Sequence, residues 1–400
     1  MAAMRDSFLP FSPPLIGSEE LDEVLDTLRS DWITTGPKVK RFEQSFAEML
    51  GAPDALALSS CTDALQVALA ACGIGPGDAV FTTTMTFCAT AHVAEHLGAT
   101  PVLVDVQADT LNLDPIALAA AVARVKAEGR LRPAAIIPVH HSGHPCDMEP
   151  ILEVAVEHGL ALVEDAAHAL PASYRGEPVG APVDQRVPRA VAFSFYATKN
   201  LTTAEGGMLT GTPDLIDEAR LWSLHGMSRD AWKRYGKGGS WFYEVVRPGF
   251  KCNMTDIQAA IGLHQIPRLP ALQARRREVV AAYDEAFADV AELERPTRRP
   301  DVDSAWHLYV LRLNLERLTI DRAQFIDELA ARNIGTSVHF IPLHLHPFYR
   351  DKYRFGEGDF PVATREYHRM VSIPLNPRLA EQDVRDVTAA VLDVVGSHRR

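Results

Sequence analysis

The sequence predicts an α/β protein with a large domain on a mostly parallel mixed sheet and a smaller C-terminal α/β domain. Three observations carry this expectation. From about Gly51 to Gly211, short apolar runs of strand character alternate with helical patterns. The runs are apolar on both faces, as strands are when helices cover both sides of a parallel sheet. Beyond about Thr255 the texture changes to a long helical pattern and then a second, shorter mixture of strands and helices. We therefore expect a large domain over 1–255, with an N-terminal arm over about 1–30, and a small domain over 256–400.

Taken in order, 55-ALAL-58 leads into 59-SSCTDAL-65, which opens a helix running from Thr62 to Cys72. The segment 79-AVFTTTMTF-87, rich in Thr and Phe, reads as a strand. So do 100-TPVLVDV-106, 134-AAIIPVHH-141, 160-LALVED-165, 190-AVAFSFY-196 and the short 207-GMLTG-211. Helical patterns fill Pro115–Glu128 and Met148–His158 between them. In the second half, residues 255–287 place apolar side chains at three- and four-residue spacing, with kinks expected at Pro267 and Pro270. A strand candidate, 306-WHLYVLRL-313, follows a Pro- and Arg-rich loop. A helix from near Asp321, the stretch 334-IGTSVHFIPL-343 and a last helix from about Glu381 complete a β-α-β texture.

Bulk properties narrow the function classes. At 400 residues, 47% hydrophobic and 23% charged, the composition is that of a globular protein. The net charge of −12 argues against nucleic acid, whose phosphates need clustered Lys and Arg. The five cysteines show no CxxC spacing, so neither a disulfide framework nor a thiolate metal cage is expected. No uncharged apolar run approaches a membrane span, and the N-terminal stretch lacks the apolar core of a signal peptide. A cytoplasmic protein without a membrane partner is expected.

In open α/β sheets ligands bind beyond the carboxyl ends of the strands. That rule selects Asp165 after one run, Lys199 after another, Phe87 after a third, and the helix opening at Ser60, Thr62 and Asp63. A helix N-terminus with free amides and hydroxyls suits a phosphate, although plain capping by Ser or Thr explains the same residues. The combination says more than its members. An imine-forming lysine, a carboxylate to hold a pyridine nitrogen protonated and an anion site are what pyridoxal phosphate (PLP) requires.

Several look-alikes are set aside. The run 73-GIGPGD-78 follows a helix and precedes a strand, the reverse of a dinucleotide fingerprint. His140, His141, His144, Cys146 and Asp147 lie together without a recognised zinc spacing, so no metal is expected; a metal-dependent hydrolase built on the histidine clusters is the rival from another class. Arg275, Arg276 and Arg277 read as a solvated helix face.

The segment 193-FSFYATKNL-201 followed by 204-AEGG-207 resembles the cofactor-lysine motif of the DegT/StrS nucleotide-sugar aminotransferases. The likeness extends to 32-WITTGPKVKRFEQSFAEMLG-51, 59-SSCTDAL-65, 164-EDAAHAL-170, 250-FKCNMTDIQAAI-261 and 335-GTSVHFIPLHLHPFY-349. It implies the PLP-dependent transferase fold type I, aspartate aminotransferase-like, and an active site shared across a homodimer. By this resemblance Lys199 forms the cofactor imine, Asp165 pairs with the pyridine nitrogen and His168, where many relatives have Gln, contacts the phenolic oxygen. Phe87 would stack on the ring, with ordinary core packing as its alternative. The amides of Thr62 and Asp63 and the Ser194 hydroxyl would hold the phosphate, joined by Asn253 from the partner subunit; His339 would touch the sugar.

The family has dehydratases with His at the lysine position, so Lys199 favours transamination. L-Glutamate as donor and a nucleotide-linked keto sugar as acceptor would share one site, which implies ping-pong kinetics and PLP alternating with its pyridoxamine form. The likeness is greatest to the C4-acting branch, with dTDP-4-keto-6-deoxy-D-glucose favoured by a composition hinting at a high-GC organism. A UDP-4-keto-pentose, a C3-keto sugar or an inositol substrate are the alternatives.

Overall fold

The computed structural model describes residues 5–181, 186–227 and 242–400. Two N-terminal helices, α1 (Ser18–Arg29) and α2 (Pro37–Leu50), precede the main sheet. That sheet is built from β1 (Asp54–Leu58), β2 (Asp78–Thr83), β3 (Thr100–Val104), β4 (Arg132–Ile137) and β5 (Ala161–Asp165). The short strands β6 (Ser173–Tyr174) and β7 (Glu177–Pro178) intervene before β8 (Arg189–Ser194) and β9 (Gly207–Gly211) complete it. The helices between are α3 (Cys61–Ala71), α4 (Ala89–His96), α5 (Pro115–Glu128) and α6 (Met148–His158), with α7 (Pro213–Ser223) after β9.

Strand order is β1-β9-β8-β5-β4-β2-β3, with β9 antiparallel to both neighbours and the remaining pairs parallel. β2, β5 and β9 are buried along their full length, which is why they read as apolar on both faces. One apolar cluster joins α3 to one face of the sheet, and others cover the opposite face with α2, α5 and α6. Because β5 and β8 run parallel, Asp165 and Ser194 end at the same edge.

The C-terminal part starts with α8 (Asp256–Ala286), capped by Thr255 and Gln258. It continues with β10 (Leu293–Glu294), β11 (Val302–Asp303), β12 (Tyr309–Leu313), α9 (Arg322–Ala331), α10 (Pro347–Tyr353), α11 (Pro361–Arg369), β13 (Met370–Ile373) and α12 (Glu381–Ser397). β12 pairs antiparallel with β10 and β13, and α8, α9 and α12 supply the core over this small sheet.

The helix at 256–286 continues through Pro267 and Pro270. Two expectations need correcting. The stretch 334–343 is not a sheet strand: the N-terminal arm takes its first residues through Gly335 N–H to Leu9 O (2.9 Å), and a single bridge ties Ser337 to Ser372. The neighbour of β12 is instead β13, which the sequence did not mark. Arg276 is no solvated residue, being 2% exposed with its guanidinium donating to the carbonyls of Trp306, His307 and Leu375. Its exposed neighbour Arg277 pairs with Asp303.

α8 spans both cores: Ala259 and Leu269 pack with Phe42, Phe46 and Phe195, whereas Val279, Val280 and Tyr283 pack over the small sheet. The first contact depends on Gly262, where a Cβ would stand 2.5 Å from the buried Phe42 ring. Alanine in a helix interior ordinarily stabilises by about 1 kcal/mol over glycine. Gly262→Ala is expected to do the reverse, lowering the unfolding free energy by about 1–3 kcal/mol through overpacking, as measured by denaturant titration.

Candidate active site

Asp165 closes β5 and is 6% exposed. Its Oδ2 accepts from Thr90 Oγ1 at 2.7 Å and its Oδ1 from the Ala167 amide at 3.1 Å. Burial pushes this carboxyl up, and those two bonds together with Lys199 only partly offset the push. Lys199 lies in the turn between β8 and β9, held by its own amide to Tyr196 O at 2.9 Å. Burial lowers its ammonium to about 8, against the pull of Cys61 and Asp165. Acid and base are thus each drawn toward neutrality by the same dry setting.

Both residues face one cavity of about 500 Å³, lined also by Thr62, Phe87, His168, Ser194 and His339. Phe87 is 60% exposed with its ring 6.1 Å from Phe340, so it is not a core residue in this chain. His168 is buried and stacked on Phe340 at 5.7 Å, and its Nδ1 has no hydrogen-bond partner. Desolvation holds His168 neutral, with the positive Lys199 adding to the effect. His339 bonds Ser372 Oγ through Nδ1 at 2.9 Å and is lowered to about 3 by burial.

One expected residue stands differently. The Asp63 amide already donates to the capping Ser60 hydroxyl oxygen, at 3.0 Å, and the Asp63 carboxylate accepts from Ser59 and Ser60. That amide can reach an anion only if Ser60 turns away. Asn253, expected at the partner subunit's phosphate, does not line its own chain's cavity; its Nδ2 donates to Thr35 Oγ1 at 2.6 Å, and the Lys251 ammonium bonds its Oδ1.

The residues present fit PLP. The start of α3 abuts β9 so closely that a Cβ on Gly207 would lie 2.4 Å from the Ser60 carbonyl, leaving the helix opening uncovered by side chain. The incompletely compensated Asp165 carboxylate suits a protonated pyridine nitrogen, and the unpartnered His168 Nδ1 suits a ring oxygen. The histidine clusters are otherwise engaged. His140 Nε2 meets Glu164 at 3.1 Å while its Nδ1 accepts from the Cys146 amide, and His344 lies between Thr84 and Thr364. Among the described residues no group of three or more His, Cys, Asp and Glu is placed to hold a metal.

A family model described as the DegT/DnrJ/EryC1/StrS aminotransferase family matches residues 14–392. The chain belongs to this family. A relative described as spore coat polysaccharide biosynthesis protein SpsC, from Bacillus subtilis (strain 168), is 49% identical over 99% of each chain. A putative sugar aminotransferase from Streptococcus pneumoniae, solved in its PMP form, superposes with a TM-score of 0.88 at 36% identity, over 97% of this chain and 99% of that one. Its PLP form gives 0.87 at 35%, over 98% and 99%. An aminotransferase of Helicobacter pylori involved in pseudoaminic acid biosynthesis gives 0.85 at 28%, over 98% and 100%. This DegT/DnrJ/EryC1/StrS protein is therefore a PLP-dependent sugar aminotransferase of the type I fold, using a sugar and an amino donor.

Sequence reasoning missed Thr90, Phe340 and His307. Thr90 holds Asp165 from α4, seventy-five positions away, and nothing local marks it. Phe340 adjoins the predicted His339, and its neighbourhood was the available signal. His307 sits 4.4 Å from His168, centroid to centroid, in what read as a strand.

With the lysine ammonium at about 8, the amine-labelling rate of Lys199 in the cofactor-free protein is expected to rise with pH about a midpoint near 8. An ordinary exposed lysine has its midpoint about two units higher. Peptide mapping of protein labelled from pH 6 to 10 measures it.

Proposed function

We propose that this enzyme moves the amino group of L-glutamate to C4 of a nucleotide-linked 4-keto sugar, with dTDP-4-keto-6-deoxy-D-glucose as the first candidate. The observation that carries the reading is the joint placement of Lys199 and Asp165 on one cavity, whose lining also includes the neutral His168 and His339, hydroxyls, aromatic rings and Glu205. The coat polysaccharide and pseudoaminic acid assignments of the relatives support a sugar acceptor made for a surface glycan. The identity of the nucleotide rests on the sequence resemblance.

Bound PLP supplies an aldehyde carbon that carries nitrogen between the two substrates and a ring that accepts the electron pair released at the donor's α-carbon. Lys199 holds it covalently at rest. Once displaced, the Lys199 amine, lowered to about 8, has a substantial neutral fraction near that pH, so it can take the proton from the α-carbon of glutamate and, in the second half-reaction, deliver one to C4 of the sugar. Asp165, fixed by Thr90 and Ala167, holds positive charge at the ring nitrogen. His168 would hold the ring's phenolic oxygen and Phe87 would lie against the ring. The Thr62 amide and the Ser194 hydroxyl would bind the phosphate, and Asn253 of a second copy would join them in a homodimer. Glutamate leaves as 2-oxoglutarate and the keto sugar as an amino sugar, so nitrogen, protons and electrons balance between them. The five free cysteines agree with work in a reducing cytoplasm.

The test offers ¹⁵N-glutamate with a panel of dTDP- and UDP-linked 4-keto and 3-keto sugars, with products located by NMR. The label is expected at C4 of the dTDP-deoxyhexose, and Lys199→Ala is expected to reduce turnover by at least about 10⁴-fold while preserving the fold. Label at C3, or on a UDP-pentose alone, replaces the acceptor; wild-type-like turnover by Lys199→Ala contradicts the mechanism.

A further inference from the structure

We propose that His307 reads the sugar: its Nε2 accepts a hydrogen bond from a hydroxyl of the keto-sugar substrate, in a tautomer imposed by Asn200. The inference rests on the keto-sugar reading above and adds a residue that sequence reasoning did not single out.

Residues 304–307 form a strap between β11 and β12, and its carbonyls are held by side chains instead of a sheet partner. Gln273 donates to Ser304 O (3.2 Å), Asn200 to Ala305 O (2.8 Å), and Arg276 to Trp306 O (3.3 Å) and His307 O (3.4 Å). The amides of Ala305 and His307 donate to Gly143 O at 2.9 Å and Ser142 O at 3.1 Å. Trp306 between them is left-handed (φ 48°), a conformation that disfavours bulky side chains and ladder pairing alike. Arg276 is buried among the described residues with carbonyls as its partners and no carboxylate within ion-pair distance. A buried guanidinium without a countercharge is costly, and its visible return here is the fixed course of this strap.

Asn200 Nδ2 donates to Ala305 O, so Asn200 Oδ1 is an acceptor. His307 Nδ1 lies 3.2 Å from that Oδ1 and must therefore carry its proton. Burial, with Lys199 and Arg276 nearby, holds the ring neutral. A neutral imidazole with Nδ1–H has its lone pair on Nε2. That nitrogen has no protein partner among the described residues, and the side chain lines the cavity.

A fixed lone pair accepts from a hydroxyl and repels a carboxylate, and the two carboxylates of glutamate offer it nothing. A keto sugar carries hydroxyls beside its carbonyl. Asn200 follows Lys199 directly, so the motif that delivers the amine also sets the tautomer of the residue that reads the acceptor.

The test is a split of half-reactions by stopped-flow spectroscopy of the holoenzyme. Glutamate is reacted with the PLP form, and the sugar that the wild type aminates is reacted with the pyridoxamine form. For His307→Leu the ratio of sugar to glutamate rate constants (each as kcat/KM) is expected to fall about 50-fold, the scale of one buried hydrogen bond. His307→Gln, which keeps an acceptor at the end of its side chain, is expected to hold that ratio within about fivefold of wild type. An unchanged ratio in His307→Leu overturns the inference, as does an equal loss of both half-reactions in both variants, the mark of a purely structural role. A wild type that aminates no keto sugar overturns the proposed function as well, whereas an active wild type with an unimpaired Leu variant overturns the inference alone.

Discussion

A carboxylate kept inside the protein, at the end of a fully buried strand, is the constraint around which the rest of this structure is arranged. Asp165 is largely withdrawn from water there, and a lone carboxylate in such a place is pushed toward protonation. Thr90 and the Ala167 amide each give it a hydrogen bond, and Lys199 gives it a positive neighbour, yet burial still prevails and its carboxyl stays above its ordinary range. The deficit is chemically specific, since a further cation at this spot would be bound with little competing solvent. The same dryness lowers Lys199, so one environment prepares an anion to hold a ring nitrogen and an amine to attack an aldehyde.

The parallel pairing of β5 with β8 makes this possible without any local device. Their shared direction brings the carboxylate and the lysine-bearing turn to one edge, and the start of α3 reaches that edge because Gly207 lets β9 pass beneath it. The small sheet and α8 act from the other side. α8 belongs to both cores, and its Gln273 and Arg276 fix the strap that brings His307 against His168. The amine end of the site is thus built by the large sheet and its far wall by the C-terminal half.

What could be read from the sequence follows the same division. Asp165, Lys199 and the opening of α3 each follow a contiguous apolar run, so a rule about strand ends finds them in one dimension, whereas Ser194 came from the family resemblance. His307 could not be found this way, because its orientation is set by Asn200 and by two α8 side chains more than thirty positions away. The Arg275–Arg277 run misled for a related reason: charge alone predicts solvent, and the carbonyls that receive Arg276 are invisible until the chain is folded. The Asp63 amide was read as free because the sequence cannot say whether a capping hydroxyl faces its own helix or a ligand. β13 escaped notice because four residues are too short a run to show alternation.

The account stands on Lys199 being the residue that holds PLP, and covalent trapping tests this most directly. Purified holoenzyme is reduced with borohydride, digested and mapped by mass spectrometry. The pyridoxyl adduct is predicted on the peptide containing Lys199, with loss of the imine absorption in step with its formation. An adduct on any other lysine, or a cofactor that dialyses away unreduced after the same treatment, would contradict it.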